Sequence, residues 1–293
     1  MNPSSATASE QKFSWSKTLS MILVAAYLAF ALVPILWMVG MSLKGPLDVM
    51  AIPPKVFFMP TLENYLRLFL GNAYSEYQVA RTDFVSALIN TFIIAGGACL
   101  LSVLTGTLAA YALARFRFKG RGDIGFIILS FRFAPELTII LPLYVVYRTL
   151  GLYNTYLGLI LIYQMISLPL LVWVIRGYFD AIPYDSEQAA LVDGYSWWGS
   201  FTKICLPLAA PGIAATAVIA FIFCWNNFTF GLLLGARETM TLTVATSGFI
   251  SYEQVLWGQM AAASVVTIIP VLGFAFLVQR WLVRGLTFGA VKG

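Results

Sequence analysis

Long apolar runs alternate with short charged segments along the whole of this chain. A helix crossing about 30 Å of hydrocarbon needs about 20 apolar residues. Six runs approach or exceed that length: Leu19–Met41, Phe84–Ala114, Ile124–Tyr147, Leu157–Ile175, Leu208–Leu234 and Met260–Val283. The pattern predicts an all-α integral membrane protein with six transmembrane helices. The second run is long enough to require tilt or an extension into water. Pro135, Pro142, Pro169 and Pro270 fall inside runs, which membrane helices accommodate when neighbouring groups satisfy the freed carbonyls. The first run follows Lys12 and Lys17 as a signal peptide would. Its 23 residues exceed a cleavable apolar region, and no small-x-small site ends it, so it is expected to span.

The segments between runs set the topology. Eleven Lys and Arg residues fall on one side (Lys12, Lys17, Arg115, Arg117, Lys119, Arg121, Arg176, Lys203, Arg280, Arg284 and Lys292) and six on the other, with Arg132 inside a run. Positive charge is retained on the cytoplasmic side, so both termini and the 176–207 loop are expected there. The division expected is a cytoplasmic tail over 1–18, a membrane domain over 19–283 and a cytoplasmic tail over 284–293. The longest external connection, 44–83, carries four prolines and a helical stretch near Leu62–Leu70. It is either a cap that meets an external partner or a solvated loop with one surface helix.

Composition narrows the class. The chain of 293 residues is 60% hydrophobic and 11% charged, with a mean hydropathy of +0.83; soluble domains carry about 25% charge. The net charge of +5 belongs to the ends of the runs, so nucleic acid is not an expected partner. There is no histidine, which removes the commonest general base and metal ligand. Cys99, Cys205 and Cys224 are too scattered to suggest a disulfide framework or a metal site.

The 176–207 loop is the most distinctive polar segment. Pro183 suits a first helical turn, and Gly194 suits the position after a helix end, where positive φ is free of a Cβ penalty. A helix of about ten residues is marginal alone and needs a partner. Ala189 and Ala190 allow close backbone approach. Ser196 can cap a second short helix, which Pro207 limits. The unit predicted is a helix, a turn and a helix, a stiff knob on one membrane face.

The loop reads Glu187-Gln188-Ala189-Ala190-Leu191-Val192-Asp193-Gly194, then nine residues, then Ile204-Cys205-Leu206-Pro207. This resembles the Glu-Ala-Ala-x3-Gly-x9-Ile-x-Leu-Pro loop in the membrane subunits of ATP-binding-cassette importers. Ala109-Ala110-Tyr111-Ala112-Leu113-Ala114-Arg115-Phe116, Arg176-Gly177-Tyr178-Phe179, Ile222-Phe223-Cys224-Trp225-Asn226 and the C-terminal Val283 to Gly293 resemble the carbohydrate-uptake branch, the maltose MalG-like permeases. The resemblance implies the type I importer permease fold with a cytoplasmic coupling helix, in a bacterial inner membrane. It implies partners as well: a second permease subunit, a pair of ATPase subunits, an external substrate-binding protein, and a sugar, polyol or related glycoside as cargo. ATP and Mg would be bound by the ATPase, since this chain has no Gly-x4-Gly-Lys-Ser/Thr loop. It would itself be non-catalytic.

By the same resemblance, Glu187, Gln188, Ala189, Ala190, Asp193, Gly194, Ile204, Leu206 and Pro207 form the ATPase-coupling site. The family's acidic position is Gln188 here. Glu187 precedes it and points about 100° away on a helix, so a neutral hydrogen bond, Glu187 or Asp193 would take over its role. Ala290, Val291, Lys292 and Gly293 would reach between the ATPase subunits, or else form a basic end that serves topology alone.

Within the runs, Ala98, Ser102, Gly106, Ala110 and Ala114 recur every fourth residue, a spacing that suits close helix packing in lipid. Arg132 and Glu136 are intramembrane charges, each disfavoured by about 2.5–3.5 kcal/mol on insertion scales. At i, i+4 they can pair along one helix face; an ion pair is the favoured reading and substrate contact the other. Trp225, Asn226 and Asn227 offer an indole face and amides suited to a sugar path, or to interhelical hydrogen bonds. Gln164 and Asn90 are weaker candidates of the same kind. An ion-gradient-driven secondary transporter is the alternative class. It calls for inverted repeats and matched intramembrane acids, and only Glu136 qualifies.

Overall fold

The computed structural model of the protein describes residues 15–70, 84–250 and 255–290, with backbone alone at 15–17 and 280–290. Its helices are α1 (Trp15–Ser42), α2 (Pro46–Val49), α3 (Glu63–Leu70), α4 (Phe84–Arg115), α5 (Arg121–Ser130), α6 (Glu136–Thr149), α7 (Tyr156–Ile162), α8 (Gln164–Ala181), α9 (Tyr184–Val192), α10 (Trp197–Ser200), α11 (Leu206–Trp225), α12 (Thr229–Leu234), α13 (Leu242–Ser247) and α14 (Trp257–Ala290). No strand occurs among the described residues. Four helical stretches are each long and apolar enough to cross a membrane: Thr18–Ser42, Phe84–Arg115, Trp197–Trp225 and Trp257–Gln279. Two bent pairs, α5 with α6 and α7 with α8, bring the total to six when each pair is counted as one span.

The bundle is organised around α4, which packs along α8 and α11. The small-residue stripe is the reason. Ala98, Ser102 and Ala110 are fully buried, and a Cβ on Gly106 would meet Leu171 Cβ at 3.2 Å. In lipid, where apolar surface alone gives no drive to associate, such closeness supplies the dispersion contacts that hold helices together. Two apolar clusters result. One holds Ile94, Leu159, Tyr163, Trp225 and Phe230; the other holds Tyr111, Phe179, Phe201 and Cys205, at the α4 C-terminal end.

Three runs depart from straight spans. The third is broken: α5 passes through a 3-10 turn at Phe131–Phe133, and α6 restarts at Glu136 at an angle of 97°. Pro135 disfavours the helical region for Ala134, whose ψ is 124°. The fourth bends by 42° between α7 and α8. Gln164 sits at that bend and donates from Nε2 to the carbonyls of Ile160 (3.0 Å) and Ala98 (3.1 Å). Its amide thereby re-satisfies a carbonyl that the bend would strand.

The fifth run starts earlier and ends earlier than its hydropathy predicts. Pro207 does not limit α10. A π-helical turn at Phe201–Cys205 joins α10 to α11 without a break. The wider turn accommodates a proline that has no N–H to donate. The rod stops at Trp225, and the apolar residues beyond it form the separate α12. The sixth helix runs on to Ala290, so most of the 284–293 segment expected as a tail is helical. The 44–83 connection is described only as far as Leu70. Its α3 packs against α14 so closely that a Cβ on Gly258 would meet Asn64 Oδ1 at 2.6 Å.

Candidate functional site

The loop between α8 and α11 folds into a compact knob, and local chemistry explains its shape. Pro183 takes the N-cap position of α9. Gly194 has φ +89°. The Tyr195 N–H donates to Ala190 O at 3.0 Å, and the Gly194 N–H donates to Leu191 O at 3.1 Å. That pair of bonds is the Schellman closure, which uses two carbonyls a helix end leaves free. Ser196 Oγ then accepts from the Gly199 N–H at 3.1 Å and caps α10.

An aromatic bed fixes the knob to the bundle. Tyr111 of α4 meets Phe179 of α8 at 5.4 Å and Phe201 at 4.6 Å between ring centroids. Trp198 stacks toward Phe201 at 5.2 Å. Beneath α9 lies a buried ion pair. Glu187 has no exposed surface; Arg115 Nε donates to its Oε1, and the Tyr111 hydroxyl donates to Oε2 at 3.0 Å. Arg115 also donates from Nη2 to Ile182 O at 2.9 Å. One guanidinium thus holds both the start of α9 and its carboxylate. Around this base, Asp180 gathers Arg176 at 3.5 Å and Arg121 at 3.9 Å.

The expected coupling residues divide accordingly. Gln188, Ala189, Asp193 and Gly194 are exposed, and Val192 between them is 87% exposed. Ala190 is buried against the chain itself. Glu187 is turned inward, away from any docking surface, because Arg115 and Tyr111 occupy its carboxylate. Ile204 and Leu206 are half-buried and Pro207 is exposed at the start of α11. Ala290 ends α14, its side chain lying outside the described set; Val291, Lys292 and Gly293 fall outside the described residues.

The path candidates also separate. Arg132 and Glu136 do not pair, because the break at Pro135 puts them on different helices. Arg132 lies 4.5 Å from the Phe223 ring centroid. The Asn227 Nδ2 donates to Glu136 Oε1 at 3.3 Å and lies 3.4 Å from Oε2. Asn227 Oδ1 also accepts from the Phe230 N–H at 3.0 Å, at the start of α12. Asn226 is exposed and donates to Ile222 O at 2.9 Å. Trp225 is 1% exposed, packed edge-on to Phe92 at 4.9 Å, so it does not line an open path. Gln164 is spent on the α7–α8 bend and accepts from Ser102 Oγ at 2.5 Å. Asn90 ties α4 to the 238–240 turn and accepts from the Tyr156 hydroxyl at 2.7 Å.

Sequence reasoning did not single out Tyr111 and Arg115 as site residues. Their i, i+4 spacing at the end of α4 was the available signal. Among the described residues, no group of three or more His, Cys, Asp or Glu is placed to hold a metal ion. The chemistry this arrangement offers is mechanical: a rigid, outward-facing surface fixed to the ends of three spans.

The trehalose transport system permease protein of Mycobacterium tuberculosis is 36% identical over 278 residues, covering 93% of this chain and 96% of the relative. The trehalose/maltose transport system permease protein of Thermococcus litoralis is 35% identical, covering 94% and 98%. In fold, the chain is similar to a chain of the crystal structure of a bacterial transporter that imports alginate, with a TM-score of 0.72 at 24% identity, covering 92% and 99%. Residues 102–288 match the family described as the binding-protein-dependent transport system inner membrane component, and this chain belongs to it.

Proposed function

We propose that this chain is one of two permease subunits of an ATP-driven importer for a sugar, polyol or related glycoside, and that α9 and α10 are its coupling element. The carbohydrate class is supported by the names of its relatives. In this reading Gln188, Ala189, Val192, Asp193 and Gly194 form the face seated in the ATPase subunit. Glu187, Arg115 and Tyr111 are positioning residues that make the face rigid. Leu206 and Pro207 carry its displacement into α11. The ATPase pair binds ATP and Mg, and an external binding protein delivers the cargo. Ala290, Val291, Lys292 and Gly293 are assigned to contact with the ATPase subunits on the same, cytoplasmic side. Arg132, Glu136, Asn226 and Asn227 lie near the break in the third span, where polar groups can border the path; Trp225 and Gln164 are structural.

The buried Glu187–Arg115 pair beneath an exposed Gln188–Ala189 face carries this reading. A knob locked from below and bare on top is built to be pushed. The test is ATPase activity of the reconstituted importer with and without its binding protein, for Gly194→Arg and for deletion of residues 183–194. Binding-protein stimulation is expected to vanish in both. Full stimulation in both would overturn the proposal.

A further inference from the structure

Lys44 lies just beyond the last turn of α1 and is 3% exposed, yet no carboxylate among the described residues pairs with it. Its Nζ sits 4.7 Å from the Trp37 ring centroid and 5.1 Å from that of Phe58. The turn presenting it is fixed. Asn64 Nδ2 donates to the carbonyls of Ser42 (2.9 Å) and Lys44 (2.8 Å), and the Thr61 N–H donates to Leu43 O at 2.8 Å. The lysine lines a cavity of about 360 Å3 whose other walls include Leu36, Trp37, Val56 and Phe58.

Three properties of this cavity belong together. First, it carries one net positive charge: Lys55, also on its wall, is neutralised by Asp48 at 2.5 Å, which leaves the Lys44 ammonium. An ammonium is a compact, strongly hydrated charge. Two ring faces attract it but do not replace an anion. Second, the cavity lies where the apolar stretch of α1 ends at Ser42, at the bundle end remote from the knob, the level at which hydrocarbon gives way to headgroups and Trp and Lys are favoured. Third, its wall continues down α1 through Leu36 and Val33, which are 64% and 62% exposed.

A ligand matching all three has a singly charged anionic head and a hydrocarbon tail. We propose that this cavity seats an anionic phospholipid, with its phosphodiester on the Lys44 ammonium and an acyl chain along Leu36 and Val33. A small soluble anion would satisfy the charge and leave the apolar wall wet. An acidic side chain of another subunit would satisfy it without the tail.

The test is native mass spectrometry of the assembled importer titrated with phosphatidylglycerol. One tightly held lipid is expected, its apparent Kd raised about tenfold by Lys44→Gln and kept close to the parent value by Lys44→Arg. Val56→Glu leaves Lys44 in place and sets an anion in the cavity beside an exposed loop; it is expected to expel the lipid while the importer stays assembled. Unchanged binding in Lys44→Gln and Val56→Glu would overturn the proposal. So would displacement of the lipid by an equal concentration of glycerophosphoglycerol, which marks an anion site alone. Carbodiimide coupling of Lys44 to a carboxylate of a neighbouring subunit would also overturn it, assigning the cavity to a protein contact.

Discussion

Glu187 and Arg115 are held out of water, their side chains 0% and 7% exposed, and so the cost of separating them is large. Removing one partner of a buried pair leaves an uncompensated charge, which destabilises by about 3–5 kcal/mol. Glu187→Ala is therefore expected to lower the midpoint of thermal denaturation of the assembled importer sharply. Replacing both residues by Met is expected to recover most of that loss, because the charges are removed together. Arg115→Lys is not conservative here: one guanidinium serves both Glu187 and Ile182 O, and a point charge cannot reproduce that fork. Gly194 is the other residue whose identity is dictated locally. At φ +89°, alanine is strained by about 1–2 kcal/mol, and Gly194→Asn is expected to cost less than Gly194→Ala in the same assay. This turn was legible in the sequence, since Gly after a short helix has one common use. The direction of Glu187 was not. It is set by a partner 72 residues earlier, and a nine-residue helix without a clear apolar stripe does not announce which side is buried.

Among the elements, the six runs could be read from hydropathy, but their bends could not. A run of apolar residues records the solvent, not the direction of the chain through it. Pro142, Pro169, Pro211 and Pro270 all sit inside helices, whereas Pro135 coincides with a break of 97°. What differs at Pro135 is its setting between two charged residues, each with a separate polar or aromatic partner to reach. The same limit defeated the expected Arg132–Glu136 pair, which presumed an unbroken helix. Close contacts between elements are a finer matter. A Cβ on Gly212 of α11 would lie 2.3 Å from Cγ of Tyr178 on α8, and a ring carbon near the backbone cannot swing away as a flexible tip can. Gly212→Ala is expected to destabilise by about 1–3 kcal/mol through overpacking, read as a lowered denaturation midpoint. Adding Tyr178→Leu is expected to restore part of it; no restoration would place the strain elsewhere.

The whole molecule has two unlike ends. Arg115, Arg117, Lys119, Arg121, Arg176 and Lys203 lie at the knob end, while the opposite end carries α3 and the Lys44 cavity. Positive charge is retained on the cytoplasmic side, so the proposed coupling role has the knob in the cytoplasm, where a nucleotide-hydrolysing partner would be available to it. The arrangement suits a direct test, because Cys99, Cys205 and Cys224 are all buried and contribute little background to thiol labelling. Met59 is 85% exposed and Asp193 is exposed on the knob. A membrane-impermeant maleimide is expected to modify Met59→Cys in spheroplasts, and Asp193→Cys only in inverted vesicles. The reverse pattern would place the knob outside, away from ATP, and the coupling role of α9 would fall. The lipid seat at Lys44 would survive that result, because it depends on depth along α1 and not on the side of the membrane. The two proposals therefore fail separately: the pair of cysteine variants tests the side on which the knob lies, and the lipid titration tests the Lys44 cavity.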